Sequence, residues 1–210
     1  MVFEKGQRIV FVGDSITDAG RRQEAAPYGN GYVHMARALL LARYPELELD
    51  IVNRGVSGDT VRHLAARWRP DVIDERPDWL SVEIGINDVW RNIDGQTAEA
   101  DPVEEYEATC DRLLTEARVS CAARLILMEP YVIEAERADR FRTLVEAHIA
   151  AVHRLAERHD AILVRTQAAF DKALRAQPSS FWADDRVHPG APGHAVIARA
   201  WLRAIDYGDV

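Results

Sequence analysis

Near its beginning the chain reads Gly13-Asp14-Ser15-Ile16-Thr17-Asp18, and near its end Asp185-Arg186-Val187-His188-Pro189. A serine hydroxyl is a weak nucleophile at neutral pH. It needs a base, and the base needs an acidic partner that fixes its tautomer and balances its charge. Ser15, His188 and Asp185 fill those three roles, with the aspartate three residues ahead of the histidine and within reach of it in a turn. Attack on an ester also puts negative charge on the former carbonyl oxygen, which preorganised donors must meet. Two further segments supply them: Asn53-Arg54-Gly55-Val56-Ser57-Gly58-Asp59 and Gly85-Ile86-Asn87-Asp88. The backbone N–H groups of Ser15 and Gly58 and the side-chain amide of Asn87 are the candidates for this oxyanion hole. Glycine at 58 admits close approach of the main chain, and an asparagine donates without titrating. The chemistry predicted is hydrolysis of a carboxylic ester through an acyl-enzyme.

Each of these residues also has a plainer reading. A bare Gly-Asp-Ser arises by chance in roughly one chain of this length in twenty. Asp14 and Asp18 read as turn or helix-cap residues bonding nearby backbone, Gly55 and Gly85 as turn glycines, and Asn87 alternatively as a loop residue with positive φ. The other six histidines do not compete as bases. His34, His63, His148 and His153 fall in predicted helices, His159 ends one and His194 opens the last. None combines with a carboxylate at zinc-site spacing, so no metal is expected. Trp90, Arg91 and Trp182 stand near the candidates in sequence. They suit a platform and a polar contact for a sugar ring, or else ordinary packing.

Positioning such residues falls to the rest of the chain. Five β-like runs recur, Arg8 to Val12, Leu49 to Val52, Leu80 to Ile84, Arg124 to Met128 and Ala161 to Val164. Between them lie stretches of helical periodicity. Val61, Leu64, Ala65, Trp68 and Val72 mark one helix, which Pro70 should kink or shorten. Asp101 as cap, Pro102 at the first helical position and Glu104 in a capping box announce the next, whose stripe is Val103, Tyr106, Cys110, Leu113 and Ala117. Val145, Ile149, Val152 and Ala156 mark another, and Ile197, Ala200, Trp201 and Ala204 the last. Strands alternating with helices imply right-handed crossovers and an α/β fold with a parallel sheet covered on both faces. In such sheets the ligand crevice lies at the carboxyl ends of the strands, where the polar segments fall.

A chain of 210 residues with 48% hydrophobic content suits one domain, residues 1–210. Its net charge of −8 argues against nucleic acid as a partner. The apolar run near the start, Ile9 to Val12 with its glycine, is too short for a signal-peptide core or a membrane span, so no membrane partner is expected and the location predicted is cytoplasmic, with export by a route that lacks a recognisable signal left open. Cys110 and Cys121, with no CxxC pair, are expected to be reduced. The sequence leaves assembly into a homo-oligomer open.

Ser15, Gly58, Asn87 and His188, in that order, resemble the SGNH (GDSL-type) hydrolase superfamily, named for those residue types. Gly13-Asp14-Ser15 is similar to its first block, Ser57-Gly58-Asp59-Thr60 to its second, Gly85-Ile86-Asn87-Asp88 to its third and Asp185 to Pro189 to its last. The resemblance implies a three-layer flavodoxin-like fold with a five-stranded parallel sheet, and no metal or organic cofactor. The strings Asp18-Ala19-Gly20-Arg21, Gly31-Tyr32-Val33, Ile86 to Arg91 and Pro189 to His194 are similar to the acetylxylan-esterase-like branch, whose members remove acetyl groups from xylose-based saccharides. The substrate implied is an acetylated small or oligomeric carbohydrate. The superfamily also contains thioesterases, lysophospholipases and broad esterases, so the catalytic blocks alone leave the acyl group open. A non-catalytic module holding saccharide or phosphate on the same rim is the reading from outside enzymes.

Overall fold

A computed structural model of the chain describes residues 1–23, 25–93, 95 and 102–208. Strands β1 (Arg8–Gly13), β2 (Asp50–Gly55), β3 (Trp79–Glu83), β4 (Arg124–Met128) and β5 (Ile162–Val164) form one sheet in the order β2-β1-β3-β4-β5, every pair parallel. Each coincides with an expected run to within one residue, except that β2 continues through Asn53, Arg54 and Gly55, read from sequence as loop. The ladder Phe11↔Asn53, Val12↔Arg54, Gly13↔Gly55 pairs those residues with β1 and accounts for the extension.

The sheet is buried on both faces, as parallel sheets require, and its side chains alternate between two cores. Ile9, Phe11, Ile126 and Met128 pack with Tyr32 and Leu40 of helix α2 (Tyr32–Arg43) and with Ile197 and Trp201 of helix α9 (Ala191–Ala204). Val10, Val12, Leu125 and Leu127 face the other way, onto Val61 and Leu64 of α3 (Val61–Ala66), Leu113 of α5 (Val103–Cys121) and Leu155 of α6 (Arg140–His159). Ser81 is a buried polar residue in the middle of β3. Its hydroxyl accepts a 3.0 Å bond from the buried Trp201 indole N–H, so neither group is stranded in the core.

Pro70 has the predicted effect on α3. Lacking an N–H, it cannot continue the helical ladder; α3 ends at Ala66 and a π-helical turn over Arg69–Ile73 follows, closed by Asp74 N–H to Arg69 C=O at 2.9 Å. This keeps Trp68 and Val72 buried beyond the break. At the start of α5, Pro102 occupies the cap position instead of the first helical one; Asp101 lies outside the described residues. No helix among the described residues is long and apolar enough to cross a membrane.

The chain runs from β1 outward to β2, then returns past β1 to β3. The reversal makes the carboxyl ends of β1 and β3 the switch point of the sheet, the place at which open α/β sheets bind their ligands. One-turn helix α1 (Ser15–Asp18) follows β1 directly, and α4 (Ile86–Ile93) follows β3.

Candidate active site

Ser15 is the first residue of α1. Asp14 caps that turn, its Oδ1 accepting the Ile16 N–H at 3.0 Å, and this fixes the backbone that carries the serine. At 173 positions' remove, His188 places Nε2 2.8 Å from Ser15 Oγ, while its Nδ1 lies 2.6 Å from Asp185 Oδ2. Asp185 Oδ1 accepts the backbone N–H groups of Val187 (2.9 Å) and His188 (2.8 Å), so one carboxylate organises the turn and the ring together. Burial pushes the Asp185 carboxyl up, but bonds from the His188 ring and from these two N–H groups outweigh it and hold the group below the usual range. An ionised Asp185 bonded at Nδ1 leaves Nε2 as the acceptor facing Oγ. His188 and Asp185 keep side-chain exposures of 48% and 39%, so this arrangement sits on an open rim.

The second and third segments meet beside it. Gly58 has φ +85°, a left-handed conformation that glycine adopts without strain, and its carbonyl accepts from Arg91 Nη2 at 2.7 Å. Asn87 is not a loop residue with positive φ: it lies in the first turn of α4, and Gly85, at φ +125°, makes the turn before it. Its Nδ2 donates to the Asp59 carbonyl at 2.9 Å, which uses one amide hydrogen and orients the other. Asp18 binds backbone, though not that of its own turn: its Oδ2 accepts the Ser57 N–H, 39 positions on, at 3.1 Å and so ties α1 to the Gly58 segment. Gly55 ends β2 and is required by close approach: a Cβ there would stand 2.2 Å from the Asp18 backbone nitrogen.

Beneath Ser15 lies a feature the sequence did not announce. Asp14 and Glu83 are both fully buried, and Asp14 Oδ2 and both Glu83 carboxyl oxygens receive no donor from other described groups. Two ionised carboxylates cannot bond each other; once Glu83 carries a proton it donates to Asp14. Burial first, then the neighbouring Asp14, pushes Glu83 well above the carboxylate range. Burial also pushes Asp14 up to about 7, against the lowering effect of the Ile16 N–H and of His188. Both shifts run in the direction that favours a proton held between the two carboxyls. The nearby His194 is held neutral, lowered to about 4 by burial first and by His188 second; its Nδ1 accepts the Tyr32 N–H at 3.3 Å.

Residues 11–196 match the model of the GDSL-like lipase/acylhydrolase family. The chain belongs to that family. Among relatives, the acetylxylan esterase of Geobacillus stearothermophilus is 42% identical over 214 residues, covering 99% of this chain and 97% of that one. Among solved structures, LAE5, an α/β hydrolase enzyme from the metagenome of Lake Arreo, Spain, superposes with a TM-score of 0.95 at 42% identity, each chain covered in full. A catalytic serine-to-alanine mutant of Axe2, an acetylxylan esterase from Geobacillus stearothermophilus, superposes with a TM-score of 0.94 at 42% identity over 98% of this chain and 96% of that one.

The GDSL-like frame gathers most, though not all, of the residues singled out from the sequence. Trp90 stands beside the base, its ring centroid 5.7 Å from that of His188 and 6.1 Å from Phe141. Arg91 engages the Gly58 carbonyl. Trp182, in α8 (Ser179–Trp182), packs edge-on against Phe181, donates to the Gln177 carbonyl at 3.2 Å, and lines a groove with Ala169 of α7 (Thr166–Ala173) and with Val196 and Ala200 of α9. Neither Ser15 nor His188 lines that groove. Sequence reasoning passed over Glu83 and Arg67. A charge inside the run Leu80-Ser81-Val82-Glu83-Ile84 is the available signal for the first; for Arg67, between Ala66 and Trp68, the local pattern offers none.

Proposed function

We propose that this acylhydrolase removes acetyl groups from xylo-oligosaccharides through an acyl-enzyme on Ser15. The observation that carries the reading is the continuous chain of contacts, Ser15 Oγ to His188 Nε2 at 2.8 Å and His188 Nδ1 to Asp185 at 2.6 Å, in a protein 42% identical across its length to an acetylxylan esterase. Ser15 Oγ attacks the acetyl carbonyl carbon while His188 Nε2 takes its proton, and Asp185 balances the resulting imidazolium. The oxyanion meets the N–H groups of Ser15 and Gly58 and the free amide hydrogen of Asn87. The bond to the sugar oxygen then breaks, and His188 hands its proton to the departing hydroxyl. Water, deprotonated by the same imidazole, attacks the acyl-enzyme and releases acetate, and the proton returns to Ser15.

The half-exposed His188 and Asp185 support a bulky saccharide leaving group, since the ester need only present its acetyl end to the rim. Trp90, next to the base, is the side chain offered to a sugar ring. Acetate release from acetylated xylo-oligosaccharides, other acetylated sugars and chromogenic acetyl and octanoyl esters tests this reading. The xylo-oligosaccharides are expected to turn over fastest, and Ser15→Ala to abolish release without unfolding the protein. Preference for octanoyl esters would replace the substrate by a lipid-like one; activity surviving in Ser15→Ala would end the assignment of the nucleophile.

A further inference from the structure

Arg67 follows the last turn of α3 as its cap residue, its side chain only 16% exposed, and its guanidinium spends its donors on four groups at the carboxyl end of the sheet. Nη2 donates to the Gly13 carbonyl at 2.9 Å and Nη1 to the Arg54 carbonyl at 2.7 Å; Nε reaches Asp59 Oδ2 at 2.6 Å and Nη1 also reaches Asp71 Oδ2 at 2.7 Å. Gly13 lies two residues before Ser15, Arg54 belongs to the neighbouring strand that leads to Gly58, and Asp59 follows Gly58 directly. One planar group thus joins the ends of β1 and β2 to the segment that carries the Gly58 N–H. The Asp59 backbone carbonyl is, in turn, the acceptor that orients Asn87.

We propose that Arg67 is a positioning residue for ester hydrolysis that anchors Asp59 against the ends of β1 and β2 and so aims the Asn87 amide. The inference rests on the reading of Asn87 as an oxyanion donor. Two carboxylates within 2.7 Å more than offset the single charge of the guanidinium, so its contribution here is geometric: five N–H groups in a fixed plane span acceptors on two strands, the Asp59 loop and the π-helical turn that carries Asp71. A lysine ammonium, with a single nitrogen, cannot span them.

A double-mutant cycle on kcat tests the proposal. Arg67→Met is expected to lower kcat by about tenfold, with KM changed by less than about threefold, and Arg67→Lys not to restore it. Asn87→Ala is expected to lower kcat by about 10² to 10³. Because Arg67 acts through Asn87, the double variant should fall within about twofold of Asn87→Ala alone. If Asn87→Ala is impaired but the two losses multiply, this inference fails and the oxyanion reading stands. An Asn87→Ala enzyme with undiminished kcat would remove both. A folded Arg67→Met enzyme with the parent kcat overturns the inference directly, and if Arg67→Met does not fold, the cycle run with Asp59→Asn decides by the same outcomes.

Discussion

The indole of Trp90 lies 5.7 Å from the imidazole of His188, centroid to centroid, with 44° between the planes. Phe141 also meets the indole, at 6.1 Å between centroids, so the wall beside the base is itself in contact with α6. Trp90→Ala removes that wall, and kcat/KM for an acetylated xylo-oligosaccharide is expected to fall by about tenfold, with Trp90→Phe retaining most of the activity. If the indole also carries a sugar ring, KM for the saccharide will rise more than KM for a small aryl acetate. Equal changes for both substrates would restrict Trp90 to bracing the base.

Asp185→Asn preserves shape but removes the negative charge at His188 Nδ1. An amide placed there is free to donate, which favours the tautomer whose N–H points at Ser15. Steady-state kinetics should show kcat lowered by about 10² to 10⁴ with the fold intact by circular dichroism. A loss of less than about threefold would mean that the two backbone N–H bonds of the turn orient the ring without the carboxylate.

The Asp14–Glu83 pair makes a pH-dependent contribution to stability whose sign follows from its direction. Both groups bind protons more tightly folded than unfolded, so between about 4 and 7, and above until Glu83 ionises, folding must retain a proton that the unfolded chain releases, and stability declines as pH rises. Glu83→Gln removes the more strongly raised group and leaves an amide that can donate to an ionised Asp14. His188 and Asp59 face Asp14, and Tyr32 and Tyr131 complete the surroundings, all unchanged in the variant. Urea denaturation at pH 5 and pH 8 is expected to show the stability of Glu83→Gln relative to the parent improving by more than about 1 kcal/mol at the higher pH. A difference independent of pH would mean that the pair does not hold an extra proton.

Two glycines of one segment separate backbone strain from collision. At Gly58 an added Cβ meets only Arg91 Nη2, at 3.8 Å, so Gly58→Ala carries only the left-handed penalty of about 1–2 kcal/mol. At Gly55 the Cβ would fall 2.2 Å from a backbone nitrogen of α1, which cannot yield without moving Ser15's own helix. Gly55→Ala should therefore be the more destabilising of the two and the more damaging to kcat, as chemical denaturation and kinetics on the pair will show.

Much of this is legible in the sequence. The five strands announce themselves because a sheet buried on both faces demands continuous Val, Ile and Leu, and the site blocks fall where those runs end. Helix α4 was not legible: Gly85-Ile86-Asn87-Asp88 carries turn residues, and only the positive φ at Gly85 lets the helix begin at Ile86. Nor were the partners of Arg67 and Glu83. Local periodicity records which face a residue occupies, but these two act across strands, through carbonyls and a buried acid that only the packed sheet brings together. Gly55 shows the same limit, since its reason for being glycine is a residue 37 positions earlier, Asp18.

The acid and base of the site sit three residues apart, whereas the nucleophile joins them across 173. Closing the short interval costs little chain entropy, and backbone bonds within the turn reinforce it; closing the long one draws on the whole sheet and on the seating of α9 against α2. Slackening that seam should thus part Oγ from Nε2 while the aspartate–imidazole couple survives as a preassembled cassette, so catalytic failure would precede any sign of disorder in the turn itself.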